Sequence, residues 1–347
     1  MKKLSKLLII SLLFVLIMSD VTVVANASGG SFIVMDTNSG RVLYEDNCKE
    51  KKPIASLTKI ATCITALKYV PLEDVVEIKD EWSGIEGSSM YLKSGEKFTV
   101  KELLYGLMLR SGNDAATAIK GYAECKGIDF IKCMNEMARS VGACDSEFVN
   151  PHGLDHPTHL STAYDVALLC RYGMNDPTFS KIVSTKKITI GQGESTRVLI
   201  NKNKLLSRYS YADGIKTGYT KKSGRCLASS ANKNGFRLVC VVLNHSSTYE
   251  TTEKLFDDCY AKYENVLLQS SEEAVGYYEK NGKKVPCGVA NDVYYPLTHE
   301  EKAQIIKKVY ITYDGGLPIK SDVPTGVIEF YLEKQLLFSQ KLYSIMA

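Results

Sequence analysis

Neither Cys-x-x-Cys nor His-Glu-x-x-His occurs in the 347 residues, which removes the zinc ribbon and the helical zinc-protease motif from consideration. Internal repeats and low-complexity tracts are also missing, so a solenoid or a linker-rich chain is not expected. Beyond the extreme N-terminus no apolar run is long enough to cross a bilayer. Charge of one sign is scarce: the formal net charge is +4, lysines and acids are interspersed, and nucleic acid is not expected as a partner. Ten cysteines are sparse for a disulfide-stapled scaffold. Several lie in apolar runs, Cys63 and Cys240 among them, and read as buried free thiols.

What is present begins with a targeting pattern. Lys2, Lys3 and Lys6 precede an apolar run from Leu7 to Met18 and the small-residue site Ala25-Asn26-Ala27, as in a secretory signal; the alternative is an uncleaved anchor. Removing residues 1–27 takes away three lysines and Asp20 and leaves about +2. The mature chain is therefore expected to be exported and to work outside the cytoplasmic membrane.

Three short words follow in order: Ser56-Leu57-Thr58-Lys59, Ser111-Gly112-Asn113 and Lys216-Thr217-Gly218. Ser-x-x-Lys alone proves little, because Ser94 to Lys97, Ser184 to Lys187 and Ser230 to Lys233 also match. Ser56 is distinguished by the run after it, Ile60, Ala61, Cys63, Ile64, Ala66 and Leu67, apolar on nearly every face like a buried helix. The structural alternative is that Ser56 caps that helix. A capping box would want Glu or Gln three residues later, and Lys59 there opposes the helix dipole. Ser111-Gly112-Asn113 lies between two helical patterns and could be a plain turn with Asn113 or Asp114 as cap. Lys216-Thr217-Gly218 fits an edge strand.

A serine hydroxyl is a weak nucleophile until a neighbour removes its proton. Lysine can do so only if burial and nearby positive charge lower a pKa that is ordinarily about 10.4. Lys59 is accordingly expected to be the general base for Ser56, helped by Lys216 opposite. Ser111 would relay a proton to the leaving amine, and Asn113 would hold the substrate amide. Lys216 and Thr217 would bind a carboxylate by charge and hydroxyl, while Gly218 permits close backbone approach. Oxyanion donors would be the backbone N–H groups of Ser56 and Tyr219. The expected substrate carries a free C-terminal carboxylate beside the scissile amide. No metal or cofactor is called for.

These words and their spacing resemble the low-molecular-weight penicillin-binding proteins, the serine D-alanyl-D-alanine carboxypeptidases. The resemblance extends to Ser88-Ser89-Met90-Tyr91-Leu92, to Phe148 through Asp155, to Leu160-Ser161-Thr162-Ala163 and to Asn203-Lys204-Leu205-Leu206. It is strong from about Gly29 to Asn265 and looser beyond, where Lys320 to Leu332 carries most of it. It implies removal of the terminal D-alanine from peptidoglycan pentapeptides through an acyl-enzyme on Ser56, with β-lactam antibiotics as covalent inhibitors. Relatives often end in an amphipathic membrane helix; Gln335 to Ala347 is too short and mixed to span a bilayer, so no clear C-terminal anchor is expected.

The chain as a whole predicts an α+β fold, an antiparallel sheet with a helical cluster, followed by a small C-terminal all-β domain. The division is residues 1–27 as signal, 28–265 as catalytic domain and 266–347 as C-terminal domain. Phe32 to Asp36 and Arg41 to Glu45 read as a hairpin, helical patterns dominate from Ser56 to about Tyr172, and strands return near Ile188, at Lys216 and on either side of Asn234-Gly235. Thr251 to Tyr263 reads as a helix, Gln269 to Glu279 as a polar linker, and Val309 to Tyr313 and Gly326 to Leu332 as strands. Three rival functions carry different chemistry. His152, His156 and His159 beside Asp155 could bind zinc; a serine β-lactamase would need a glutamate for fast deacylation, and no convincing one is seen; a penicillin-binding sensor or scaffold would keep the serine without turnover.

Overall fold

The computed structural model describes residues 29–280, 282–312 and 323–345. Strands β1 (Ser31–Asp36) and β2 (Val42–Asp46) make the expected hairpin. A 3₁₀ turn, Ala55–Leu57, then runs into helix α1 (Thr58–Tyr69), whose residues from Thr58 to Ala66 are all buried. An element apolar on nearly every face can only be stable when surrounded, and α1 is the helix the others pack around.

The helical expectation fails between α1 and residue 100. That segment holds a small hairpin of β3 (Val75–Glu77) and β4 (Lys97–Thr99), and Gly84, Gly87 and Gly95 adopt positive φ, which no helix interior tolerates. Helix α2 (Val100–Tyr105) opens on a capping box of Thr99 and Glu102, as that spacing favours. Its continuation widens into a π-turn, Gly106–Arg110, and stops at Ser111 in the left-handed region, φ 62°. Helix α3 (Asn113–Cys125) starts two residues later, so Ser111-Gly112 is the tight connection anticipated. No side chain caps α3, which removes the plain-cap reading of Asn113. Helices α4 (Phe130–Ser140), α5 (Ala163–Met174) and α6 (Pro177–Ser184) complete the cluster.

The hairpin of β5 (Lys187–Ile190) and β6 (Arg197–Ile200) and the short helix α7 (Leu205–Arg208) lead to β7 (Ala212–Thr220), β8 (Gly224–Lys233) and β9 (Phe236–Leu243). Asn234 and Gly235, at φ 53° and 87°, close the β8–β9 hairpin in the manner of a primed turn. Helix α8 (Thr248–Lys262) follows. The sheet order is β2-β1-β9-β8-β7, antiparallel throughout. Alternation along β1 and β9 splits the core in two: Ile33, Met35, Val239 and Val241 face the helical cluster, and Val34, Leu238, Cys240 and Val242 face α8, as the two-residue period of a strand requires.

From Glu264 the chain builds a separate core. Strand β10 (Glu264–Gln269) is separated by only six residues from the first strand of the next sheet, β11 (Gly276–Lys280). The supposed polar linker therefore shrinks to residues 270–275. The rest is polar on average because strand β11 turns alternate residues to water, leaving Tyr278 buried between exposed neighbours. Strands β12 (Lys283–Val289) and β13 (Val293–Leu297), helix α9 (His299–Lys302), and strands β14 (Ile305–Ile311), β15 (Gly326–Leu332) and β16 (Gln335–Ser344) complete it. β10 pairs with β13, and the larger sheet runs β11-β12-β16-β15-β14. Ile328 and Phe330 point into the core with Leu268, Tyr278 and Cys287; Tyr313, and Lys320 to Asp322 at the start of the Lys320–Leu332 stretch, lie outside the described residues. The whole is an α+β fold with a C-terminal all-β unit. All ten cysteines are free thiols, seven of them buried.

Arg41 ties the second core to the first. Its guanidinium grips the Glu301 carboxylate with Nη2 at 2.5 Å and Nη1 at 3.0 Å, and Nη1 also donates to the Pro296 carbonyl at 2.6 Å. The same group lies over the rings of Tyr263 and Tyr295. A forked ion pair that is largely buried and sandwiched by aromatic rings is a stiff joint.

Candidate active site

Ser56 sits in the 3₁₀ turn ahead of α1 and is not a cap, since no side chain caps that helix. The turn delivers Ser56 beside Lys59, one helical turn on: Lys59 Nζ lies 3.1 Å from Ser56 Oγ. The same Nζ lies 2.7 Å from Asn113 Oδ1 and 2.6 Å from the His152 carbonyl oxygen. Lys59 is wholly buried. Three segments far apart in sequence thus converge on one amine.

Asn113 is itself held in one orientation. Its Nδ2 donates to the Glu86 carbonyl at 2.5 Å, which turns Oδ1 towards Lys59, and its backbone N–H donates to the Ser88 carbonyl at 2.7 Å. The adjoining Asp114 carboxylate, fully buried, accepts from Ser89 Oγ at 2.6 Å and from the backbone N–H groups of Met90 and Leu92 at 3.1 and 3.0 Å. Buried carboxylates are stable only with such donors, so Asp114 fixes the loop that fixes Asn113. Ser111 is buried too, in the left-handed residue between the π-turn and Asn113.

Strand β7 closes the other side. A Cβ on Gly218 would lie 3.0 Å from the Ile54 carbonyl oxygen and 3.3 Å from Ser56 N, so a side chain here would push the strand and the nucleophile turn apart by a few tenths of an ångström. Lys216 is buried, with Nζ donating to the Thr217 carbonyl at 2.9 Å. Tyr219 turns its ring to solvent, 64% exposed, which leaves its backbone as the part beside the turn. β7 is the sheet edge, as expected, and an edge strand has unpaired backbone groups available to a ligand.

Burial is the main force on the two amines. It holds Lys59 well below the ordinary lysine range, with Lys216 and then Lys202 adding repulsion and Asp114 opposing. Lys216 is brought down to about 7, by burial first and Lys202 second. Lys202, at the exposed rim, donates from Nζ to Ser88 Oγ at 2.9 Å. Both amines therefore hold a proton less tightly than lysine in water does.

The three histidines have other work. His159 lies between Thr58 Oγ1, 2.8 Å from Nε2, and the Val149 N–H, which donates to Nδ1 at 3.1 Å. His152 Nδ1 accepts from the Leu154 N–H at 3.2 Å, and His156 Nδ1 from the Thr158 N–H at 3.3 Å. Burial lowers His152 and His159 to about 4, so both are neutral props for the loop over α1. No metal-binding group of three or more His, Cys, Asp or Glu exists among the described residues.

The structure thus gathers Ser56, Lys59, Asn113, Lys216 and Gly218, with Ser111, Thr217 and Tyr219 adjoining them in the chain. Sequence reasoning gave no part to the His152 and Glu86 carbonyls, Asp114, Gly153 or Lys202. The carbonyls had no side-chain signature to read. Asp114 directly follows Ser111-Gly112-Asn113, and the Ser88 and Phe148 stretches stood out by resemblance, so their places could have been suspected.

Comparison with known proteins adds a consistent picture. The family profile described as D-alanyl-D-alanine carboxypeptidase matches residues 19–247, and that of the penicillin-binding protein 5 C-terminal domain matches residues 263–346. The chain is 33% identical over 325 residues to D-alanyl-D-alanine carboxypeptidase DacC of Escherichia coli, covering 87% of this chain and 80% of that one. It is 30% identical over 287 residues to D-alanyl-D-alanine carboxypeptidase DacF of Bacillus subtilis, covering 80% and 72%. Among solved structures, penicillin binding protein 5 from Haemophilus influenzae superimposes with a TM-score of 0.76 at 25% identity, over 91% of this chain and 96% of that one.

Proposed function

The chain belongs to the serine D-alanyl-D-alanine carboxypeptidases of the low-molecular-weight penicillin-binding type, and from that premise we propose that Ser56 is its nucleophile and Lys59 its base. It is an enzyme, a DD-carboxypeptidase. In acylation the Ser56 oxygen attacks the carbonyl of the penultimate D-alanine while its proton passes to Lys59. The negative charge that develops on the carbonyl oxygen is met by the backbone N–H groups of Ser56 and Tyr219, donors worth roughly 3–4 kcal/mol each in such holes. Collapse breaks the C–N bond, Ser111 relays a proton to the departing nitrogen, and free D-alanine leaves. Water then hydrolyses the ester and restores Ser56.

The observation that carries this reading is the setting of the Lys59 amine. A neutral amine has two N–H donors and one lone pair; the Asn113 and His152 oxygens at 2.7 and 2.6 Å take the donors, and the lone pair is left for the Ser56 hydroxyl at 3.1 Å. Asn113 also orients the substrate amide, and Lys216 with Thr217 receives the terminal carboxylate. Peptidoglycan stem peptides are the substrate class, and β-lactams acylate the same oxygen. Export through residues 1–27, a catalytic domain of residues 28–265 and a C-terminal β domain of residues 266–347 belong to the same proposal. Among the described residues no helix is long and apolar enough to cross a membrane.

Incubation with diacetyl-L-Lys-D-Ala-D-Ala should release D-alanine at a rate unaffected by EDTA, and peptide mass mapping after penicillin treatment should find the adduct on Ser56. Adduct formation without D-alanine release would replace the enzyme by a sensor, and an adduct elsewhere would remove Ser56 from the mechanism.

Lys202 gives the pH dependence a handle. Protonation of Lys59 removes the base, so kcat/KM falls as pH drops; deprotonation of Lys216, near 7 in the free enzyme, removes the cation that meets the carboxylate, so kcat/KM falls as pH rises. Lys202 repels protons from both amines. Lys202→Met should let each hold its proton to higher pH, moving both limbs of the profile in the alkaline direction. An unmoved profile would show that the rim charge does not reach the pair.

A further inference from the structure

A cavity of about 890 Å³ lies away from Ser56, between the β1–β2 turn and the C-terminal sheets. We propose that it binds the amino-sugar strand of the wall polymer, a chain of N-acetylated hexosamines, and so anchors the enzyme on the polymer whose peptides it trims. This inference rests on the peptidoglycan reading above.

Both walls are built rather than incidental. On the catalytic side, Asp36 Oδ2 accepts from the Ser39 N–H and hydroxyl at 2.6 and 2.5 Å, and Arg171 donates to the carbonyls of Thr37 and Asn38 at 2.8 and 2.7 Å. Gly40, at φ 76°, leaves room for the Arg171 guanidinium, which would come within 3.2 Å of a Cβ there. The next residue is Arg41, whose grip on Glu301 and Pro296 fixes this turn against the far wall. On the far wall Asp292 is held by the Ser271 N–H and hydroxyl at 2.8 and 2.9 Å. A cavity between walls joined this firmly is preformed, which lowers the cost of ordering on binding.

Its chemistry selects an uncharged polar ligand with apolar faces. Tyr294, 38% exposed, and Tyr343 offer rings, while Asn38, Asn291 and Gln340 offer amides that both donate and accept. The lining carries little net charge: Lys341 and Asp292 are of opposite sign, and the Arg171 guanidinium has two of its donors committed to carbonyls. A polyanion would find little here, whereas alternating hydroxyl, acetamido and C–H faces would be matched.

Position argues for a polymer. The cavity begins at the turn after β1, and β7 is three strand spacings from β1, about 14 Å. Lys216 aligns with Ile33 through Ala228 and Val241, and Asp36 is about 10 Å further along the strand. A five-residue stem peptide, fully extended, spans at most about 18 Å. At full stretch it would be used up in reaching the wall at Asp36, about 17 Å from Lys216, whereas the strand that bears such peptides can enter the cavity, and a second attachment raises the effective concentration of peptide at Ser56.

Tetra-N-acetylchitotetraose, free of peptide, should bind the Ser56→Ala protein in calorimetry, and Tyr294→Ala or Gln340→Ala in that background should weaken it about tenfold or more. With Ser56 intact, Tyr294→Ala should lower kcat/KM on soluble polymeric peptidoglycan about tenfold and leave kcat/KM on diacetyl-L-Lys-D-Ala-D-Ala unchanged. Absence of saccharide binding, or equal binding by both variants, would overturn the proposal. Failure of the unmodified enzyme on the short peptide would instead overturn the functional reading, and the calorimetry would still judge the cavity.

Discussion

Lys59→Met should reduce D-alanine release about 10³-fold or more, and slow acylation by penicillin to a similar degree. Methionine fills nearly the same buried volume but offers no lone pair, so the Ser56 hydroxyl keeps its proton. Among the described residues the nearby basic groups are engaged otherwise. His152 presents its carbonyl, not its ring, to the site, and Lys216 points its Nζ at its own strand's Thr217 carbonyl. The change also leaves the Asn113 and His152 oxygens without the amine that now meets them, so some loss of substrate positioning adds to the loss of the base. Stopped-flow acylation with a chromogenic β-lactam would isolate the first step, and near-ultraviolet circular dichroism would check that the fold is kept. Acylation within tenfold of the unmodified enzyme in a folded variant would mean that another group accepts the proton.

Gly153→Ala should cost about 3 kcal/mol or more of stability and at least about 10²-fold in turnover. At φ 85° the residue is in a region that side chains rarely adopt, and a Cβ there would lie 1.9 Å from the Ala55 carbonyl oxygen and 2.8 Å from Thr58 Oγ1. These are atoms of the turn and helix start that present Ser56. The clash is with backbone, so no side chain can swing away to relieve it. Its neighbour His152 supplies the carbonyl at 2.6 Å from Lys59, and any retreat of this loop withdraws that oxygen as well. Gly127→Ala provides the comparison, because Gly127 has φ 80° but nothing within 4 Å of a Cβ; it should show the conformational cost alone, about 1 kcal/mol, with activity intact. Urea midpoints for the two variants would separate clash from strain. Equal midpoints would mean that the loop and the nucleophile turn are not packed as described.

Much of this protein could be read from its residues in order. The Asn234-Gly235 pair fixed a hairpin because a primed turn needs two positive φ values and those residues adopt them cheaply. The apolar character of Ile60 to Leu67 on nearly every face pointed to a buried helix, and its opening residues were readable as chemistry because lysine is a poor choice for a helix start that serves only structure. Other features were hidden for equally physical reasons. Residues 70–99 alternate weakly and are governed by glycines at positive φ, which periodicity does not register. Ser56 belongs to a 3₁₀ turn, a distinction decided by packing against Gly153 and Gly218. Arg41 gave no sign of its role because both its acid and its aromatic partners come from more than 200 residues away.

Residue types and their order determined which groups could react, since a hydroxyl, two amines and an amide carry their chemistry wherever they are placed. Only the tertiary structure decided that one amine is held well below the ordinary lysine range and the other is brought down to about 7. Proton affinity depends on the water excluded and the charges brought near, and for Lys59 those are supplied by segments around residues 113, 152, 202 and 216, none of them its neighbours in the chain.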